Sequence, residues 1–272
     1  MTRVDDLAFA RDLAQQAGEI VMGYHDADVA VHDKDGEPVT LADRDSNAFI
    51  VGELAARYPD DAILAEESPV ADDAWSRAVR CWVVDPLDGT SDFVKKRVGF
   101  CVMIGLLERG EPVVGAVHVP RAQRTFLGIV GEGAEEEQPD RTRRRLRCSE
   151  RADPGSLRVI ASIAHRDARL ERALALLAPA ETMSVGSVGL KVGTICADEA
   201  DLYVATTSRI SLWDTAGPQA ILHAAGGRFL DLDGRPLDYG GPHLNHRRGL
   251  LATNGACADA VVERLSGQFA EL

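Results

Sequence analysis

The chain has 272 residues, enough to bury a full core as one large domain or two closely packed halves. Hydrophobic residues make up 45% and charged residues 27%, which excludes a disordered or fibrous chain. With 30 basic against 43 acidic residues the net charge is −13, so the surface repels nucleic acid polymers and phosphate alike, and a phosphate-bearing ligand calls for a divalent cation to hold it.

The start, Met1-Thr2-Arg3-Val4-Asp5-Asp6, lacks the basic and then apolar regions of a secretory signal, and no apolar run reaches the roughly 18 residues of a membrane span. A cytoplasmic address without membrane association is the expectation. Leu7, Ala10, Leu13, Ala14, Ala17, Ile20, Val21 and Tyr24 recur at helical spacing. The polar stretch 31–39 (VHDKDGEPV) reads as an exposed loop or hairpin, and a second helix is predicted from about Asp43 to Arg57, stopped by Tyr58-Pro59. Residues 62–65 and 81–84 read as short buried strands, each ending in acids. Residues 100–107 and 113–119 form a predicted hairpin, extended by a strand at 124–130. The Gly- and Glu-rich segment 131–140 is expected to be a mobile loop, and the arginine run 141–147 a solvated strand or loop edge.

From Arg158 onward strands and helices alternate. Strands are predicted at 159–163, 202–205, 228–230 and 249–253, and helices at 167–177, 187–197, 214–225 and up to Leu265. This predicts an α+β half (1–150) and an α/β half (151–272), joined near 148–157. The five cysteines, Cys81, Cys101, Cys148, Cys196 and Cys257, are scattered with no Cys-x-x-Cys pair, and read as reduced, buried small hydrophobes.

The strongest chemical signal is Trp82-Val83-Val84-Asp85-Pro86-Leu87-Asp88-Gly89-Thr90. A buried strand ends in two acids, with Pro86 and Gly89 forcing a turn that can aim both carboxylates, and the Leu87 carbonyl, at one point. Hard oxygen donors of this kind suit magnesium. The same residues would also make a plain Asp-capped turn with Gly89 supplying positive φ. An aspartyl-phosphate mechanism is disfavoured, because the position two before Asp88 is Pro86. Glu66 and Glu67 end the earlier strand, or mark the chain's exit to solvent. Asp214, in Trp213-Asp214-Thr215-Ala216-Gly217, opens a helix and is otherwise its N-cap. Asp43 fits a capping box with Thr40. No Gly-x-Ser-x-Gly elbow, His-Glu-x-x-His cluster or lysine-bearing phosphate loop is present.

Together, Val39-Thr40 through Asp43, Ala65 through Ser68, Trp82 through Thr90, Gly115-Ala116-Val117 leading to Pro120, and Trp213 through Gly217 resemble the inositol monophosphatase superfamily of lithium-sensitive, magnesium-dependent phosphatases, from roughly residue 5 to 265. The resemblance implies a layered αβαβα sandwich of mixed α+β and α/β character. It implies that Glu66, Asp85, the Leu87 carbonyl, Asp88 and Asp214 ligate two or three magnesium ions. It gives Thr90 and Asp43 the attacking water, with Glu67 assisting, and it implies a small phosphate ester as ligand. Many members are homodimers, an expectation that no segment of this sequence localises.

Within the superfamily the chain is similar to the 3′(2′),5′-bisphosphate nucleotidases. The similarity lies in Ser91-Asp92-Phe93 after the metal motif, in Gly186-Ser187-Val188-Gly189-Leu190-Lys191, and in Thr207, where inositol-specific members carry Glu. The implied substrate contacts are Asp88, Gly89, Thr90, Ser187, Lys191 and Asp214. Lys191, or else Arg247 or Arg248, is expected to supply a cation away from the metals for a second phosphate; Lys191 is otherwise a solvated helix residue. The implied reaction is hydrolysis of the 3′-phosphate of 3′-phosphoadenosine 5′-phosphate. Inositol-1-phosphate, another sugar phosphate and histidinol phosphate are alternatives, as is a catalytically silent binding protein that keeps the fold.

Overall fold

A computed structural model describes residues 2–25, 31–34, 37–70, 72–161, 167–241 and 243–269. The first helix, α1 (Arg3–His25), buries Ala10, Leu13, Ala14, Ala17 and Val21 along one stripe. The stretch predicted as a loop or hairpin is the antiparallel pair β1 (Val31–Lys34) and β2 (Glu37–Thr40), with residues 35 and 36 outside the described residues. It leads directly into α2 (Leu41–Arg57).

The main sheet follows, built from β3 (Ala62–Ala65), β4 (Arg80–Asp88), β5 (Cys101–Glu108), β6 (Glu111–Val119), β7 (Arg124–Ile129), β8 (Gly133–Glu137) and β9 (Arg143–Leu146), in that spatial order. A short helix, α3 (Thr90–Val94), interrupts it after β4. Only β3 and β4 run parallel; the other neighbours are antiparallel. The expectation of a mobile loop at 131–140 is corrected here, because residues 133–137 are the strand β8. Its glutamates lie opposite the arginines of β9 in register, Glu135 with Arg145, Glu136 with Arg144 and Glu137 with Arg143. Opposite charges facing each other across two strands stabilise the pairing. Glu136 is fully buried between Arg124 and Arg144, so its two ion pairs are screened less than pairs on an open surface. The exposed arginines of β9 form the sheet's outer edge, where charge blocks further strand addition.

The second sheet has the order β11-β10-β12-β16-β14. It comprises β10 (Arg158–Ala161), β11 (Glu181–Ser184), β12 (Leu202–Ala205), β14 (Arg228–Leu230) and β16 (Leu250–Thr253). The predicted strand at 159–163 is thus β10, with residues 162 and 163 outside the described residues. A small pair, β13 (Ile210–Ser211) and β15 (Asn245–His246), lies apart from it. The remaining helices are α4 (Ala168–Leu177), α5 (Val188–Cys196), α6 (Leu212–Ala224) and α7 (Ala258–Leu265).

Four core clusters fill the layers. One joins α1 and α2 to a face of the main sheet, one joins the opposite face to α5, α6 and the second sheet, one joins the far face of the second sheet to α4 and α7, and a smaller one packs β3, β4 and β5 against the start of α6. This is the αβαβα sandwich. All five cysteines are buried and free. Among the described residues no helix is long and apolar enough to cross a membrane.

Helix α6 meets the main sheet backbone to backbone. Gly105, Gly115 and Gly128 are cross-strand neighbours on β5, β6 and β7, forming a bare row beneath the helix. A Cβ on Gly105 would lie 2.5 Å from the Gly217 nitrogen, and one on Gly115 only 2.1 Å from the Gly217 oxygen. No side chain fits there, so α6 sits closer to the sheet than ordinary helix packing allows.

Candidate active site

The site begins where β4 stops being regular. Asp85 pairs with Met103 and Asp88 with Cys101, so three steps on β4 oppose two on β5, a bulge centred on Pro86, which has no N–H to give the ladder. The Leu87 N–H donates instead to Asp85 Oδ1 at 3.0 Å. Gly89 then takes φ +91°, and a Cβ there would lie 2.7 Å from the Gly99 oxygen, so both conformation and space demand glycine. The chain re-enters a helix at Thr90. Its hydroxyl has Asp43 Oδ1 at 3.0 Å and the Leu87 carbonyl at 3.1 Å as acceptors.

Asp43 and Asp214 reach the site in the same way. Each is the third residue of its helix and closes a capping box, a placement that corrects the N-cap alternative for Asp214: Ser211 is the N-cap. Asp43 Oδ2 accepts from the Thr40 N–H and hydroxyl, both at 2.7 Å, which leaves Oδ1 to Thr90. Asp214 Oδ2 accepts from the Ser211 N–H at 2.6 Å. Behind Asp214, Thr215 is held by His246 Nε2 at 2.8 Å and the Tyr239 hydroxyl at 3.0 Å, so the start of α6 is anchored in a buried network. Burial raises the Asp43 pKa, with hydrogen bonds from Thr40 and Thr90 opposing it.

Glu66 continues β3 beside β4, its N–H donating to the Val84 carbonyl at 3.2 Å, which sets it alongside Asp85. Glu67 follows, half-buried. Carboxylate oxygens of Asp85, Asp88 and Asp214 all lie within 4.8 Å of one another; among the described residues no other group of three or more acids, histidines or cysteines draws so close. Burial first, then the charges of Glu66, Asp88 and Asp214, push the Asp85 carboxyl well above the usual carboxylate range. Like charges this close, with one member buried, call for a proton or a cation. An all-oxygen donor set on short turns is the chemistry that magnesium takes, so the residues fit that ion.

The second half of the chain closes over this cluster. Ser187 is buried as the N-cap of α5, its hydroxyl accepting from the Leu190 N–H at 3.2 Å. The Gly189 N–H donates to Asp88 Oδ2 at 3.2 Å. The Cys101 thiol lies 3.2 Å from Ser187 Oγ and 3.9 Å from Asp88 Oδ2. Gly189 lies in the segment that carries the nucleotidase similarity, but its contact with Asp88 and that of Cys101 show only in the structure, where a Cβ on Gly189 would lie within 2.8 Å of Met103, Cys101 and Val117.

Lys191 corrects the alternative of a solvated helix residue. It is 5% exposed, with Nζ 4.8 Å from the centre of the Tyr203 ring. Burial lowers its pKa, while the charges of Asp88 and Asp214 oppose the shift, so its ammonium belongs to the carboxylate cluster's own field. Thr207 is half-buried and accepts from the Arg209 N–H. Arg247 is engaged by His243 and Arg248 by Asp233. A cavity of about 360 Å³ lies elsewhere, between α1 and β7–β9, and contains none of these residues; the chemistry of the donors marks the site, not volume.

The sequence profile of the inositol monophosphatase family matches residues 4–268. The chain is 35% identical over 231 residues to the 3′(2′),5′-bisphosphate nucleotidase CysQ of Escherichia coli (strain K12), covering 84% of this chain and 91% of that protein. It is 31% identical over 265 residues to the histidinol-phosphatase of Mycobacterium tuberculosis (strain H37Rv), covering 96% and 98%. Its fold superposes on the inositol monophosphatase from Anabaena (Nostoc) sp. PCC 7120 with a TM-score of 0.77 and 28% identity, covering 97% of this chain and 96% of the other. With the layered fold and the acidic cluster already in place, these similarities make the chain a member of the inositol monophosphatase family, a phosphatase of a generally magnesium-dependent kind.

Proposed function

We propose that the chain hydrolyses the 3′-phosphate of 3′-phosphoadenosine 5′-phosphate. The observation that carries this reading is the 35% identity to a bisphosphate nucleotidase across most of both chains. Thr207, where the resemblance expects Glu in inositol-specific members, adds support.

In this reading Glu66, Asp85, Asp88, Asp214 and the Leu87 carbonyl hold two or three magnesium ions. When bound, these neutralise the phosphate and the departing oxygen and lower the pKa of water at the site. Thr90 orients the attacking water through its hydroxyl, and Asp43 Oδ1, 3.0 Å from that hydroxyl, accepts the proton displaced. Glu67 assists from the adjoining turn. The N–H groups at Gly89 and Thr90 receive phosphate oxygens at the start of α3. Ser187 shapes the opposite wall, and Lys191 adds a positive charge beside Asp88 and Asp214.

The test compares kcat/KM for 3′-phosphoadenosine 5′-phosphate, inositol-1-phosphate and histidinol phosphate. A preference for the nucleotide is expected; a preference for the inositol ester overturns the assignment. A second reading, histidinol phosphate hydrolysis, is favoured by the 31% identity that extends over 96% of the chain, and the same assay decides between them. Asp88→Asn is expected to lower kcat by about 10²–10³-fold with the fold intact. Unchanged turnover in that variant removes Asp88 from the reaction.

A further inference from the structure

Helix α2 turns three polar side chains, at positions 43, 46 and 47, towards the site, and each grips a different part of it. Asp43 takes the Thr90 hydroxyl at 3.0 Å, and Ser46 Oγ donates to the Pro86 carbonyl at 2.9 Å. Both hold the turn after β4. Asn47 instead reaches the segment after β3, its Nδ2 donating to Ser68 Oγ at 3.1 Å. Ser68 directly follows Glu66 and Glu67, and its own N–H closes the turn on the Ala65 carbonyl at 3.1 Å. Of the three, only Asn47 ties α2 to the limb carrying those glutamates.

Asn47 is 7% exposed, and its Oδ1 is the one buried side-chain polar atom among the described residues with no hydrogen-bond partner. A hydroxyl accepts as readily as it donates, so reversing the amide would satisfy Ser68 equally and leave the nitrogen open instead. In either orientation one atom of a buried amide is presented beside Ser68. Buried side-chain nitrogen and oxygen atoms are otherwise matched among the described residues, which singles this one out.

We propose that Asn47 is a positioning residue for the metal site. Through its hydrogen bond to Ser68 it fixes the Glu66–Glu67 limb against the Asp85–Asp88 turn. It therefore sets divalent-cation affinity without touching substrate. This inference rests on the carboxylate cluster being a magnesium site.

The experiment titrates magnesium into metal-free protein by calorimetry, for the wild type, Asn47→Ala, Asn47→Asp, Ser68→Ala and the Asn47→Ala/Ser68→Ala double variant. Asn47→Ala is expected to weaken magnesium about 10- to 100-fold, as loss of a partner behind a metal ligand does. The metal-free Tm is expected to stay within about 2 °C, and kcat at saturating magnesium within about threefold. Ser68→Ala weakens binding similarly, and the double variant is no worse than either single one. Asn47→Asp keeps an acceptor for the Ser68 hydroxyl and restores affinity. Unchanged affinity in Asn47→Ala overturns the proposal, as does a loss that follows the metal-free Tm downward and is not recovered in Asn47→Asp. If Asn47→Ala does not fold, Ser68→Ala decides alone, and wild-type affinity there overturns it. Asp88→Asn serves as the control: wild-type magnesium binding in that variant sinks the metal-site reading itself, whereas its loss beside a wild-type Asn47→Ala sinks only the role of Asn47.

Discussion

His118 shows how one buried side chain sets a condition on the whole protein. It sits on β6 beneath α1, where a Cβ on Gly18 would be 2.5 Å from its ring, and its Nδ1 lies 2.9 Å from Thr125 Oγ1. Burial lowers its pKa to about 4; the Arg124 backbone and Glu137 oppose the shift, while Arg141 adds to it. The imidazole is neutral when folded and takes up a proton near pH 6.5 when unfolded. Its contribution to stability is therefore complete above about pH 6.5 and is lost as the pH falls towards about 4, by at most about 3 kcal/mol. Denaturation at stepped pH should show this slope, and His118→Gln should reduce it, leaving the parts due to His246, which burial likewise lowers to about 4, and His223, which burial also lowers. An identical slope in the variant would rule His118 out. Nothing in the sequence marks His118 as buried. Lys191 is a sharper case, since lysine is the residue type least expected inside a protein, and only the contact with Tyr203 reveals where it lies.

At the scale of elements, the legible parts were those whose cause is local. The turn from Asp85 to Thr90 is written in Pro86 and Gly89, and the Asp43 capping box in the spacing from Thr40. The helical stripes of α1 and the four apolar residues of β12 also needed no knowledge of their neighbours. The strand β8 is not legible in the sequence, because a run of glutamates has no apolar period and only the opposing arginines of β9 make it a strand. Likewise β11, an edge strand with no buried residue, carries little pattern of its own. The glycine row under α6 is least visible of all, because Gly105, Gly115 and Gly128 come from three strands and Gly217 from a helix much further along the chain. It predicts a specific failure. Gly115→Ala forces a methyl into the 2.1 Å gap beside the Gly217 oxygen, so α6 must lift. Overpacking of this sort destabilises by about 1–3 kcal/mol, or roughly 3–10 °C in Tm for a chain of this size. Because Asp214 rides on α6, kcat should fall about 100-fold as well. Wild-type melting and turnover in Gly115→Ala would show that the contact is not critical.

At the scale of the molecule, the two halves read from the sequence, 1–150 and 151–272, are proposed as divisions of the chain rather than units that fold alone. The middle core contains Met103, Val117 and Phe126 from the first half beside Val192, Ile221 and Leu250 from the second. A shared core of this kind predicts one unfolding transition, with equal calorimetric and van't Hoff enthalpies and coincident signals from Trp82 and Trp213. Two separated transitions would contradict it. The bare glycine seam also bears on how the protein comes into being. Glu66, Glu67, Asp85 and Asp88 all emerge during synthesis well before the helix that delivers Asp214 and covers that seam. A chain cut before α6 therefore keeps four of these five acids but lacks Asp214 and leaves the glycine seam bare.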